Sequence, residues 1–386
     1  MNLARLLILV FLQSAATAAA EHAIYFYTKE VHQFSVTLNL LLALVFGAAY
    51  IFGAIGSHGL SKRIGGERRA LMSVILGQVI VGAVLTFSTS AALFWCLWPM
   101  LGWLAGSQWP IIESYVVAGR PPKAATHAIG RFNVTWSIAV VLAVALAGYL
   151  IEQWDQALFA MSASLSLLSA ILCLATFPAN AAHLDDDHPG RLPCETIKRY
   201  KPLVVSARWS MLTSYSLMFV IGPYLPDIFK ALGFGLTAAT LLASILYGMR
   251  VVSFAFMERW HGWHGRADIL ALGAIALPTA ALLTLSGRSA GIVIVGEVLF
   301  GFTAGVIYTA SLYYSMILKD ASIEGGGDHE GIIGTGFCLG PILGMAGTKL
   351  ATRFGTLTGL TLGLSPVLAI GLIGGLWPLW KQQSAD

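Results

Sequence analysis

Apolar residues run in blocks of about 20 along nearly the whole chain, and charges, glycines and prolines cluster between the blocks. Blocks of that length predict membrane-spanning helices, since strands of a membrane barrel are half as long. Only helices and closed barrels satisfy every backbone polar group inside lipid. The pattern predicts helices at 3–26, 35–57, 70–89, 91–117, 128–150 and 156–177. After a polar stretch they resume at 204–228, 236–257, 268–286, 290–318, 331–351 and 358–380. The first block resembles a secretory leader around Arg5, Leu6–Leu12 and Ala18–Ala20, but its apolar run continues through Ala23-Ile24-Tyr25-Phe26, so a full helix is expected.

Composition agrees with this reading. The chain has 386 residues, of which 57% are hydrophobic and 11% charged, with a mean hydropathy of +0.75. A soluble domain carries about 25% charged residues, so a soluble enzyme and a disordered chain are both excluded. Twelve spans of roughly 22 residues use about 264 positions, which leaves short loops and no separate soluble domain. The fold class expected is an all-α membrane protein of twelve transmembrane helices. It divides into an N-terminal half (1–177), a linker loop (178–203) and a C-terminal half (204–386).

Lysine and arginine set the orientation. With the N-terminus inside, fifteen fall on inner loops and tails (Arg5, Lys62, Arg63, Arg68, Arg69, Arg120, Lys123, Arg191, Lys198, Arg199, Lys201, Arg259, Arg266, Lys319 and Lys381). Five fall outside: Lys29, Lys230, Arg288, Lys349 and Arg353. Both termini are therefore expected in the cytoplasm, with the chain multi-pass in a bacterial-type inner membrane. The net charge of +4 is spread over these loops and does not signal nucleic acid. The four cysteines show no metal spacing. No phosphate-binding Gly-rich loop ending in Lys-Ser/Thr appears, and no cofactor is expected. Gly325-Gly326-Gly327-Asp328-His329-Glu330 carries acids and a histidine, yet three consecutive glycines predict a flexible linker rather than a metal site.

The two halves repeat. Leu6–Gly65 matches Leu203–Gly262 in length and pattern at an offset of 197. Gly102 and Gly106 on the fourth helix match Gly301 and Gly305 on the tenth, an offset of 199. Gly130 and Gly331, at the starts of helices five and eleven, lie 201 apart. Two parallel six-helix halves place a substrate site at mid-membrane between them.

By topology and repeat the whole chain resembles the major facilitator superfamily. The loop between helices two and three is similar to that family's motif at Arg63, Gly65 and the basic pair Arg68-Arg69, while Lys62 stands where the family has an aspartate. The resemblance implies a conformational latch there. Gly336, Gly340, Pro341 and Gly344 on helix eleven look like the GxxxGPxxG pattern that the family's antiporters carry on helix five. Small residues allow close helix approach and proline permits a kink, so this stretch reads as helix packing or as a hinge.

Four ionisable residues stand out within the apolar blocks, where charge is costly and marks function. The resemblance implies that helices one, four, seven and ten line a central cavity. Glu21, Glu113 and Glu297 lie on helices one, four and ten, and Arg250 lies on helix eight. A carboxyl in a low-dielectric cavity is a candidate proton carrier, Glu21 above all, with His22 beside it. Arg250 suits an anionic or hydroxylated ligand, or an ion pair. Glu113 could equally pair with Arg120 and Lys123. Tyr25, Trp109, Tyr215 and Tyr308, with Tyr313 and Tyr314, offer stacking surfaces or a membrane-interface belt. Gln13, Asn39, Gln78 and Asn133 could orient a substrate or bond between helices.

The expected protein is a secondary transporter, not an enzyme. It moves a small organic solute by rocking of two halves, coupled to protons, as a monomer in the lipid bilayer. An uncoupled facilitator and a non-transporting sensor on the same scaffold are the alternatives.

Overall fold

The computed structural model describes residues 2–117, 119–182, 194–318 and 323–383. Most of the expected linker, 183–193, lies outside them. Among the described residues there is helix and no strand. The helices are α1 (Leu3–Val31), α2 (Val36–Ile64), α3 (Glu67–Thr86), α4 (Ala91–Val117), α5 (Pro122–Gln153) and α6 (Ala157–Thr176). The second six are α7 (Cys194–Ala231), α8 (Leu236–Arg259), α9 (Ala267–Ser286), α10 (Ala290–Leu318), α11 (Ile323–Phe354) and α12 (Thr356–Gln383). Eleven are long and apolar enough to span a membrane by composition. The twelfth, α4, is 27 residues long but diluted by four tryptophans and two prolines. An even number of spans returns the chain to its starting side, called here the terminal side.

Several boundaries differ from the apolar blocks, and the differences share a cause. Helices α2, α5, α7 and α11 extend past their apolar runs into polar turns on the terminal side. The largest correction concerns Gly325–Glu330: the expected linker is the first part of α11. Glycine costs about 1 kcal/mol per residue in an isolated helix, but here close packing needs it. A side chain on Gly326 would meet Pro110 and the Glu113 carboxyl at 3.0–3.4 Å, and one on Gly327 would meet the Ala54 carbonyl at 3.1 Å.

Glycines also make the repeat visible in three dimensions. In the first half α4 lies on α2, with Gly102 against the Phe46 carbonyl and Gly106 against the Tyr50 carbonyl. In the second half α10 lies on α8, with Gly301 against the Leu246 carbonyl and Gly305 against Ser253. Between halves the exchange is reciprocal. Gly130 on α5 packs against Glu258 on α8, and Gly331 on α11 packs against Ile55 on α2. These two crossed pairs, α5 with α8 and α11 with α2, form the most extensive helix contacts in the molecule.

The first helix is not uniform. It is α-helical over Leu3–Ala18, widens into a π-helical turn over Ala19–Ala23, and resumes as α-helix over Ile24–Val31. Such turns concentrate at functional sites, and this one holds Glu21 and His22.

Candidate functional site

A cavity lies between the halves. From the first half come Ser14, Thr17, Glu21 and His22 of α1, Tyr50 of α2, Trp109 of α4, and Phe132, Trp136 and Val140 of α5. From the second come Tyr215 of α7, Arg250 of α8, Tyr308 of α10, and Glu330, Ile333 and Phe337 of α11. Six residues named from sequence thus meet here: Glu21, His22, Arg250, Trp109, Tyr215 and Tyr308. The wide turn brings the consecutive residues Glu21 and His22 onto the same wall. His22 packs its ring 4.6 Å from Tyr247 of the other half.

Arg250 is the most enclosed cation of the site, at 1% exposure. Its guanidinium sits over four rings: Trp136 at 4.7 Å, Tyr308 at 5.5 Å, Tyr215 at 5.6 Å and Phe254 at 5.7 Å. It donates to the Tyr215 hydroxyl at 3.1 Å and toward Met218 sulfur at 3.7 Å. Its Nε has no acceptor, and no carboxylate lies within ion-pair distance of it among the described residues. Aromatic faces stabilise a desolvated guanidinium by about 2 kcal/mol each at best, and they leave its in-plane N–H groups wanting acceptors. One Glu21 oxygen is likewise buried without a donor.

The other predicted residues lie off the cavity wall. Glu297 is fully buried inside the second half, neither oxygen hydrogen-bonded, close enough to act electrostatically on Tyr247. Tyr25 is buried nearer the far side, its ring against Gly222 of α7. Glu113 sits behind the wall, 2% exposed, beside Glu330. Gln13, Gln78 and Gln108 bond one another and tie α1, α3 and α4 together, while Asn39 bonds Thr28 and the Tyr25 carbonyl.

Sequence reading missed Glu330, Tyr50 and Trp136. Tyr50 donates a hydrogen bond to Glu330 across the two halves. Glu113, His329 and Glu330 are buried together, each offering a ligand atom within 4.8 Å of the others, so this cluster has the geometry to hold a cation. The repeat carried the missing signal. The offset of 201 maps the start of α5 at Pro122 onto Ile323 and predicts helix where the glycines suggested a linker.

The latch residues show a definite arrangement. Gly65 ends α2 in the left-handed region, φ 81°, and Arg63 is exposed. Arg68 donates to the Phe177 carbonyl at 3.0 Å, just past the end of α6. Glu67 accepts from the Ala181 backbone N–H at 2.6 Å. The loop therefore grips the end of α6 within one half, and Lys62 stays exposed outside that contact. On α11, Gly336 and Gly340 lie against Tyr215 and the Ser216 carbonyl of α7, and Pro341 sits within the helix.

Contacts join the two halves at both ends of the cavity. On the far side Lys29 of α1 pairs with Asp227 of α7 at 2.5 Å, and Glu152 accepts from Thr237 N–H and Oγ1 at 3.1 and 2.7 Å. On the terminal side Tyr50 bonds Glu330, with His127 3.3 Å from Glu258 at the rim.

Comparison with known proteins places the architecture. The fold is similar to the human organic anion transporter MFSD10 (TETRAN), at 13% identity and a TM-score of 0.63 over 98% of both chains. It is similar to the transporter FucP in the outward conformation, at 14% identity and 0.65 over 98% of both chains. It is also similar to the nucleoside transporter NupG, at 13% identity and 0.66 over 99% of this chain and 100% of that one. No curated protein matches the chain by sequence. The model of the Major Facilitator Superfamily matches residues 6–345. Twelve helices in two repeated halves, a cavity between them and this match over most of the length agree: the chain is a multi-pass membrane protein belonging to the Major Facilitator Superfamily.

Proposed function

We propose that this protein is a secondary active transporter that moves a small organic solute by alternating access, coupled to protons. In this reading it lies in the inner membrane with both termini in the cytoplasm. The observation that carries the reading is the cavity itself. It is shared between the halves and holds a guanidinium with no carboxylate partner on the same wall as a carboxyl. Arg250 receives an anionic or hydroxylated group of the solute, and Trp109, Trp136, Tyr215 and Tyr308 pack its flat or apolar body. Glu21 carries the proton, since a carboxyl shielded from bulk water and facing the solute can exchange its proton as the site opens to either side. Glu297 is the second candidate carrier. Rocking at the crossed pairs α5–α8 and α11–α2 exposes the cavity alternately. The solved structures of similar fold include an organic anion transporter and a nucleoside transporter, which supports a small organic solute.

Two steps test the reading. A thermal-shift screen of the purified protein against metabolites and drug-like compounds identifies a solute, because binding to the folded state raises apparent stability. Proteoliposomes then follow that solute under an imposed pH gradient. Accumulation is expected in the wild type and at least tenfold less in Glu21→Gln, with solute binding retained. Accumulation that survives both Glu21→Gln and Glu297→Gln would remove these carboxyls from the coupling mechanism. Downhill movement with no gradient dependence would make the protein a facilitator.

A further inference from the structure

The largest convergence of unsatisfied polar atoms lies behind the cavity wall, where α4 of the first half meets the start of α11 of the second. His329 is fully buried, and neither of its ring nitrogens has a hydrogen-bond partner. Glu113 is 2% exposed, and its carboxyl lies against that of Glu330 with no other hydrogen-bond partner. Glu330, 3% exposed, accepts from the Tyr50 hydroxyl. Buried polar groups are nearly always satisfied, and each orphan costs about 1–3 kcal/mol, more for a charge. A fully buried imidazole with neither nitrogen partnered, beside two abutting carboxyls, calls for a group that is itself electron-poor and takes several lone pairs at once.

A metal dication meets that requirement. The ligand atoms of Glu113, His329 and Glu330 all lie within 4.8 Å of one another. Ligands about 2.1 Å from a tetrahedral zinc stand about 3.4 Å apart, so side-chain rotation closes the remaining distance. Imidazole with carboxylates suits zinc, iron or manganese; magnesium prefers oxygen and water. Two carboxylates neutralise the dication. Tyr50 orients Glu330 through its hydroxyl, as partners of metal ligands do. Glu330 also lines the cavity, which gives an ion its way in. Nothing in the transport reading requires this site.

We propose that Glu113, His329 and Glu330 form a binding site for one transition-metal dication of the zinc class, which bridges the two halves on the terminal side. Three protein ligands leave the fourth position to water or a solute atom.

Titration of the purified, detergent-solubilised full chain with zinc chloride tests this. One equivalent is expected to bind, undisplaced by a hundredfold excess of magnesium chloride. Cobalt chloride, added instead, is expected to give visible absorption bands of a four-coordinate site. His329→Ala and Glu113→Gln are each expected to weaken zinc binding at least tenfold and to abolish the cobalt bands. His329→Cys supplies a thiolate and is expected to keep zinc while adding a sulfur-to-cobalt charge-transfer band, which separates ligand loss from misfolding. A wild-type chain that binds no zinc would overturn the proposal and leave the two carboxyls sharing a proton. Zinc binding of equal strength in His329→Ala and Glu113→Gln would overturn it too.

Discussion

Arg250 shows what a buried cation costs the protein that carries it. A guanidinium at 1% exposure, held by one tyrosine hydroxyl, a sulfur and four rings, has given up water without gaining a carboxylate. Replacing buried ions by apolar groups of similar volume often stabilises by about 1–4 kcal/mol. Arg250→Met is therefore expected to raise the thermal midpoint of the purified protein while abolishing solute-induced stabilisation. Both are read in one fluorescence melting experiment. A midpoint that falls instead would mean that the guanidinium supports the fold, and its place at the cavity wall would carry less weight. This residue was legible in the sequence because a lone arginine in an apolar run is conspicuous. Trp136 and Tyr50 were not, since aromatic residues abound in membrane helices and nothing local separates a cavity ring from one facing lipid.

Among the elements, α1 departs furthest from its sequence pattern. Ala19–Ala23 reads as ordinary helix, and no residue in it announces a π turn. The wide turn holds one extra residue while the α-helical stretches on either side keep their register. Deleting Ala20 would convert it to a regular turn and remove the widening that holds Glu21 and His22. Ser14 and Thr17 would stay at the cavity, and Gln13 would stay with Gln78 and Gln108. The deletion is expected to leave the thermal midpoint nearly unchanged and to weaken solute binding at least tenfold, read by thermal shift with and without solute. A deletion variant that binds like the wild type would show that the turn does not position Glu21 and His22. The helices themselves were readable because lipid imposes a length and an apolar composition on each. Their polar ends were not, because an apolar count stops where the lipid does and the helix continues. Glu330 fell in that gap, and so did the wider half of the terminal-side contact.

At the scale of the whole molecule, the contacts that join the halves at either end can be weakened separately. Lys29 and Asp227 are 22% and 33% exposed and bind the far ends of α1 and α7. A partly exposed pair of this kind contributes up to about 1 kcal/mol, which corresponds to a shift of about fivefold between closed and open populations. Asp227→Asn is expected to increase labelling of a cysteine placed at Ser14 by a membrane-impermeant reagent applied from the far side. The exchange Lys29→Asp with Asp227→Lys is expected to return labelling to its original level. Equal labelling in all three proteins would show that this pair does not hold the gate. On the opposite side the joining element is α11, which carries nine glycines between Gly325 and Gly347. At about 1 kcal/mol each relative to alanine, they would prevent this segment from being helical alone in water. Its helicity is lent by the surfaces of α2, α4 and α7 around it. The helical form of its first turns therefore depends on their docking against the other half, and any separation of the halves on this side would expose a segment with little helical propensity of its own.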